Sequence, residues 1–234
     1  MTEILKQYMS KNNYPVSVVI PTREIDDSYI NHVSKMFSHP KTQIIVYENN
    51  GDKSLPQIYN EGLSESIHDI VVFMHDDLII ETTNVTKKLT RLFDNNPDYG
   101  IIGVAGTNKL LSGCWWQERS SIQGQVKHQH EGRTWRSDYS GKFGENLKQV
   151  VIVDGLFFAV HKQRIKHKFD EEFPGFHFYD LPICVANHAD GIKVGVTTKI
   201  QLIHKSLGPT SPKWEKNKYF FEAKYGHLLP IILE

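Results

Sequence analysis

Four apolar runs of strand length recur through the first hundred residues, and three of them stop at a turn of polar or charged side chains. This repeat constrains the fold more than any other feature. Val16-Ser17-Val18-Val19-Ile20 ends at Pro21-Thr22-Arg23, and Gln43-Ile44-Ile45-Val46-Tyr47 runs into Glu48-Asn49-Asn50-Gly51. Ile70–Met74 breaks abruptly into His75-Asp76-Asp77, and Ile101–Ala105 is the fourth run. Between them lie segments of helical character around Tyr29–Phe37, over Ser54–Glu65 and near Asn84–Phe93, with Leu55, Ile58, Tyr59 and Leu63 spaced for one face. Strands alternating with helices predict βαβ units, hence an α/β domain with a mostly parallel central sheet flanked by helices. Ligands of such sheets sit beyond the carboxyl ends of the strands, where these polar clusters fall.

The second half is less regular. Residues 106–149 carry Gly, Ser, Trp, His and Arg with little period, which reads as functional loops with room for hairpins. Val150–Val160 reads as a strand, Leu181–Ala189 as a helix with Pro182 in its first turn, and Gly195–Ile203 as a strand with His204 at its end. Residues 1–14 form a polar or helical lead-in. No repeat, low-complexity tract or linker divides the chain. We expect one domain over 1–234, with functional halves at about 14–108 and about 109–234.

Lysine plus arginine and aspartate plus glutamate both number 27, so the chain lacks the excess positive charge of a general nucleic-acid binder. No run approaches the roughly 18 apolar residues of a membrane span, and the first residues carry no signal-peptide pattern. Cys114 and Cys184 stand far apart, which excludes a disulfide scaffold or a four-cysteine zinc site and suits a reducing compartment. We therefore expect a cytoplasmic protein.

Adjacent carboxylates are costly unless a cation compensates them. Asp76 and Asp77 follow a buried strand, so they either hold a divalent cation such as Mn2+ or Mg2+ or merely cap a helix or solvate a turn. His128-x-His130 invites a zinc reading, but no third ligand lies at helical or hairpin spacing. Lys213–Tyr219 mixes basic and aromatic residues, either as a solvated helix face or as a peripheral contact with a membrane or lipid-linked molecule at the inner membrane face.

Taken together, these residues resemble a GT-A glycosyltransferase of the broad family 2 type. Val16–Arg23 resembles that family's first strand and nucleotide-contacting turn, and Ile44–Gly51 resembles its second strand and acidic turn, with Glu48 where Asp is usual. Asn60 occupies a position where the family often has Asn, and Val72-Phe73-Met74-His75-Asp76-Asp77 resembles its DxD-bearing strand. His75 replaces the first acid of that motif and Asp77 matches the second, a His-x-Asp variant. Val153-Asp154-Gly155-Leu156-Phe157-Phe158-Ala159 resembles the strand beneath the acceptor site. Phe169–Phe173 with Tyr179-Asp180-Leu181-Pro182 resembles the segment of the catalytic base, of whose usual Glu-Asp pair only the second acid remains. Ile203-His204-Lys205-Ser206 resembles the late histidine that completes the metal site.

The resemblance implies transfer of a sugar from a nucleoside-diphosphate donor, UDP-linked by the family's habit, to a glycan or lipid-linked acceptor, with a role in polysaccharide biosynthesis. It implies Asp180 as the base of an inverting displacement, although Asp180 alternatively caps its helix. Pro21, Thr22, Arg23, Glu48, Asn60, His75 and Asp76 would face the nucleotide, and Asp77 with His204 would hold the metal. Arg23 alternatively pairs with Glu24 or Asp26. Trp115 and Trp116 would stack on the acceptor or pack the core, and Asp154 and Gly155 would line its pocket. Two other readings stand beside this one. One is a non-catalytic nucleotide-sugar- or glycan-binding module that lost turnover through His75. The other is a nucleotidyltransferase, disfavoured because Arg23-Glu24-Ile25-Asp26-Asp27 has no glycine to cradle a triphosphate.

Overall fold

The computed structural model describes residues 14–139, 147–206 and 210–233, so nearly all of the expected lead-in lies outside the described residues. The first half runs β1 (Ser17–Thr22), α1 (Asp27–Phe37), β2 (Gln43–Glu48), α2 (Leu55–Glu65), β3 (Ile70–Met74), β4 (Leu78–Ile80), α3 (Val85–Asn95), β5 (Tyr99–Gly103), β6 (Ala105–Thr107) and β7 (Lys109–Leu110). There follow β8 (Ile122–His130), β9 (Arg133–Asp138), β10 (Lys148–Val150), β11 (Ile152–Val153), β12 (Phe157–His161) and α4 (Asp180–Ala189). The described chain closes with β13 (Lys193–Val196), β14 (Leu202–His204), α5 (Pro212–Tyr225) and β15 (Ile231–Ile232).

A seven-stranded sheet in the order β10-β13-β5-β12-β3-β1-β2 forms the centre. β3 is an interior strand, between β12 and β1, and is buried on both faces, which explains its unbroken apolar run. Ile70, Val72 and Met74 pack to one side, with α1 and α3; Val71 and Phe73 pack to the other, with α2 and α4. The helix ends follow local chemistry. The Asp26 carboxylate accepts from the Ser28 and Tyr29 amides to start α1, and Gln57 Oε1 accepts from the Ser54 amide ahead of α2.

The α/β class holds, but strand direction is more evenly mixed than the alternation suggested. β1–β2, β1–β3 and β5–β13 pair in parallel; β12 enters antiparallel between β3 and β5, and β10 runs antiparallel to β13. Central strands thus come from both halves of the chain.

A second sheet of six strands runs β11-β6-β8-β14-β4, with β9 paired to β8 as a hairpin. This sheet corrects three expectations. Residues 106–149 do hold a hairpin, as the reading allowed, but their described part is richer in strands than a loop segment. Val150–Val160 is not one strand: β10 belongs to the central sheet, β11 crosses to pair with β6, and β12 returns after a turn at Asp154–Leu156. Gly195–Ile203 likewise divides into the end of β13 and the start of β14, one in each sheet. The β3–β4 connection makes the same crossing. His75–Asp77 and Asp154–Leu156 therefore both lie at the seam between sheets.

Candidate functional site

β1 and β2 end side by side, with Thr22 opposite Glu48. Beyond them opens a cavity of about 490 Å³ lined by Pro21, Thr22, Arg23, Asn49, Leu55, His75, Asp76, Asp77, Phe176 and Ser206. Thr22 Oγ1 donates to the Glu24 carbonyl and accepts from its amide, closing the turn. Arg23 is exposed, lines the cavity and forms no ion pair among the described residues, so the alternative pairing with Glu24 or Asp26 is not seen. Asn49, which sequence reasoning did not single out, holds the next turn: its Oδ1 accepts from Lys53 N and its Nδ2 donates to Lys53 O.

His75 and Asp77 of this lining stand with His204, and the donor atoms of the three lie within 4.8 Å of one another. Among the described residues this is the one cluster of three such side chains able to hold a metal. Asp77 Oδ2 lies 3.4 Å from His204 Nε2, and Asp77 Oδ1 lies 3.9 Å from His75 Nδ1. Ligands about 2.1 Å from a common ion stand roughly 3–4 Å apart, so small shifts fit this set to a divalent cation. The chemistry agrees, because Asp77 Oδ1 is a buried acceptor with no hydrogen-bond partner. Burial opposes charge on Asp77, but the His204 hydrogen bond and charge, with His75 and Ser206, override it and pull its pKa to about 2. Burial drives His75 down to about 4, leaving it in the neutral state a metal ligand requires. For His204 burial acts downward, but Asp77 prevails and raises it.

Across from the cluster, Tyr179 and Asp180 enter α4. Phe178 takes φ +61°, a left-handed conformation rare for an aromatic residue, and the Tyr179 and Asp180 that follow it are both buried. The Tyr179 hydroxyl lies 2.6 Å from His75 Nε2, so with Nε2 engaged here Nδ1 is the nitrogen left for Asp77 and a cation. Asp180 Oδ2 accepts from the Gly155 amide at 2.9 Å. Asp180 is the first residue of α4, with Tyr179 at the cap position, yet its Oδ1 accepts from the Leu181 amide at 3.0 Å, so part of the alternative capping role is kept. Burial, reinforced by the charge of Asp154, raises the Asp180 pKa to about 7.

Two predictions follow from this corner. Tyr179→Phe keeps the ring and removes the hydroxyl, so calorimetry with Mn2+ is expected to show an affinity lower by about ten- to a hundredfold, as for lost outer-shell partners. An unchanged affinity would free His75 of this restraint. Gly155 has no room for a side chain, because a Cβ there would run into the Tyr179 ring. Gly155→Ala should lower stability by about 1–3 kcal/mol in urea denaturation. A wild-type midpoint would contradict the packing.

A second cavity of about 570 Å³ adjoins the first and shares His75, Phe176 and Ser206 with it. Asp154, Asp180 and His204 lie at its polar end, and Trp115 and Trp116 also line it. His128 lines it too, carried next to His204 by the parallel β8–β14 pairing, while its ring stacks on Trp135 rather than joining His130. Three expected residues stand apart. Glu48 is exposed at the end of β2, outside the lining of either cavity. Asn60 spends both amide atoms on Phe169 and Glu171, holding that segment instead of facing a cavity. Gly155 contributes its amide to Asp180 rather than a lining surface.

Comparison with known proteins gives a consistent result. The profile of the glycosyltransferase-like family matches residues 22–225. The streptomycin biosynthesis protein StrF of Streptomyces griseus is 23% identical over 196 residues, covering 79% of this chain and 66%, just under two thirds, of that protein. Among solved structures, GalNAc-T7 with UDP, GalNAc and Mn2+ superposes with a TM-score of 0.59 at 10% identity, over 91% of this chain and 48% of that one. The mannosyltransferase PcManGT of Pyrobaculum calidifontis, in complex with GDP-Man and Mn2+, superposes with a TM-score of 0.54 at 10% identity, over 95% of this chain and 70% of that one. These likenesses carry the fold.

Proposed function

The chain belongs to the glycosyltransferase-like family, and from that premise we propose that it moves a sugar from a nucleoside-diphosphate donor to an acceptor hydroxyl, with inversion at the sugar carbon. The observation that carries the reading is the His75–Asp77–His204 cluster, set where the two cavities meet and faced by Asp180. A nucleotide in the first cavity and an acceptor in the second would bring their reacting ends together there.

Thr22 and Arg23, with Pro21 and Asp76, form the wall that would take the nucleotide, and Glu48 at the rim of β2 is within the same edge of the sheet. Arg23 would set its positive charge against the diphosphate. His75, Asp77 and His204 would hold a divalent cation, which when bound supplies Lewis-acid neutralisation of the leaving diphosphate. Asp180 would take the proton of the attacking hydroxyl as its oxygen bonds to the sugar carbon and the bond from that carbon to the diphosphate breaks. The Gly155 amide holds the Asp180 carboxylate in place for this step. UDP is the first donor base to test and GDP the second. No described helix is long and apolar enough to cross a membrane, so a lipid-linked acceptor would be met at a surface.

The test is incubation with UDP- and GDP-sugars in Mn2+, reading release of the nucleoside diphosphate with water as acceptor. Release from at least one donor, stopped by chelation, is expected. Binding of UDP or GDP without any release would favour a non-catalytic module, and absence of both would overturn the reading.

A further inference from the structure

The second cavity has two unlike ends. Its inner end carries Asp154, Asp180 and His204; its outer end is aromatic, formed by Trp115, Trp116, Phe176, Phe178 and Trp214. The rings make a continuous chain. Trp115 meets Trp116 edge-on at 5.8 Å, Trp116 meets Trp214 at 5.2 Å with planes tilted by 51°, and Trp214 meets Phe178 at 5.3 Å. Trp115 and Phe178 are buried and serve as backing. Trp116 is 38% exposed and Phe176 42%, values that leave ring faces open on a wall of large apolar side chains. Trp214 reaches the wall because the Ser211 hydroxyl accepts from its amide and starts α5 there.

Charge separates the two cavities as clearly as shape does. Arg23 lines the first. Among the described residues, neither lysine nor arginine lines the second, whose ionisable acids are Asp154 and Asp180. Lys213 is exposed on α5, and Lys218 is engaged with Glu222. A phosphate held against the aromatic residues would meet ring faces with no lysine or arginine in the lining to compensate it. A sugar ring suits the same lining, since its axial C–H face is apolar and its hydroxyls are neutral. The volume falls within the range of small-molecule pockets, enough to enclose saccharide units against the wall.

We infer that Trp116 and Trp214, backed by Phe178, form a stacking subsite for an uncharged pyranose ring of the acceptor, and that the acceptor reaches the reaction through a neutral saccharide rather than a phosphorylated group. In calling that ring an acceptor the inference rests on the transferase reading; the stacking surface itself does not depend on it. The subsite lies on the Asp180 side of the metal cluster, so a ring held there presents its hydroxyls toward the base.

Saturation-transfer NMR on the whole chain tests this without a donor. The probes are methyl glucoside, methyl galactoside, methyl mannoside and lactose, set against glucose 1-phosphate and mannose 1-phosphate. Ring C–H protons of at least one neutral probe are expected to receive saturation. Trp116→Ala and Trp214→Ala should weaken that probe at least about tenfold, the scale of losing one central aromatic contact, while Trp→Phe at either position retains most of the signal. Circular dichroism and UDP titration of the variants separate a lost subsite from a lost fold. Preferential binding of the phosphorylated sugars, equal binding by the alanine variants, or no transfer to any neutral probe would overturn the inference. Failure of the donor-release experiment with intact stacking would instead remove the transferase reading alone.

Discussion

Asp77→Ala is expected to abolish metal-dependent nucleotide binding. In calorimetric titration with UDP and Mn2+, affinity should fall by more than about a hundredfold, because the loss of outer-shell partners alone costs ten- to a hundredfold at metal sites. Asp77 supplies the one carboxylate of the cluster, and its unpartnered Oδ1 is the atom that most requires a cation. Without it, a hard divalent ion would have two imidazoles and no oxygen ligand from the cluster. The same carboxylate holds His204 above its ordinary pKa, so a proton competes with the ion for that ring. Metal affinity in the unmodified chain should therefore weaken as pH falls and His204 becomes protonated. Equal UDP binding by the wild type and Asp77→Ala, with or without Mn2+, would remove the metal from the account.

Asp180→Asn should separate chemistry from stability. Transfer is expected to fall by about 10²–10⁴-fold, the usual contribution of a positioned base. Because Asp180 titrates at about 7, the wild-type rate should rise with pH through that value and level off above it. Stability should move the other way. An exposed aspartate ionises near 4, so between about pH 4 and pH 7 the unfolded chain has released a proton that the folded chain retains. Folding stability drops over that window by up to about 4 kcal/mol and stays lowered above it. Asparagine avoids this loss and its carbonyl oxygen can still accept from Gly155 N, while its NH2 group gives up the bond from Leu181 N and offsets about 1 kcal/mol of the gain. Calorimetric scans should show Asp180→Asn melting above the wild type at pH 8, with the gap closing toward pH 4. Full activity in this variant would move the base elsewhere, and an equal melting temperature at pH 8 would mean that the carboxylate is not destabilised by burial.

Much of the first half was legible because each central strand is bounded by a change of chemistry. Ile70–Met74 begins and ends where the apolar run does, since nothing polar is tolerated between two packed faces. The same uniformity hid the break in Val150–Val160: a chain that is buried in one sheet and then in another stays apolar throughout. Only Asp154 and Gly155 marked the turn. Asp77 and His204 stood out because their residue types are chosen for a narrow chemistry. Tyr179 did not, since an isolated tyrosine before a helix is ordinary and its role depends on its bond to His75, distant in sequence. Trp214 was read within a solvated helix face, although its position three residues after Ser211 could have marked it as the first turn of a capped helix. His128 became part of the cavity only through a parallel pairing between distant strands.

The aromatic wall has a property that the metal cluster lacks: its members are carried by connections and helix starts and not by the sheets. Trp115 and Trp116 follow β7, Phe176 and Phe178 precede α4, and Trp214 opens α5, whereas His75, Asp77 and His204 are tied to sheet strands. Those connections can lengthen, shorten or exchange side chains without disturbing a strand register. The architecture thus ties the cation-holding residues to strand pairing and leaves the wall on segments that pairing does not constrain.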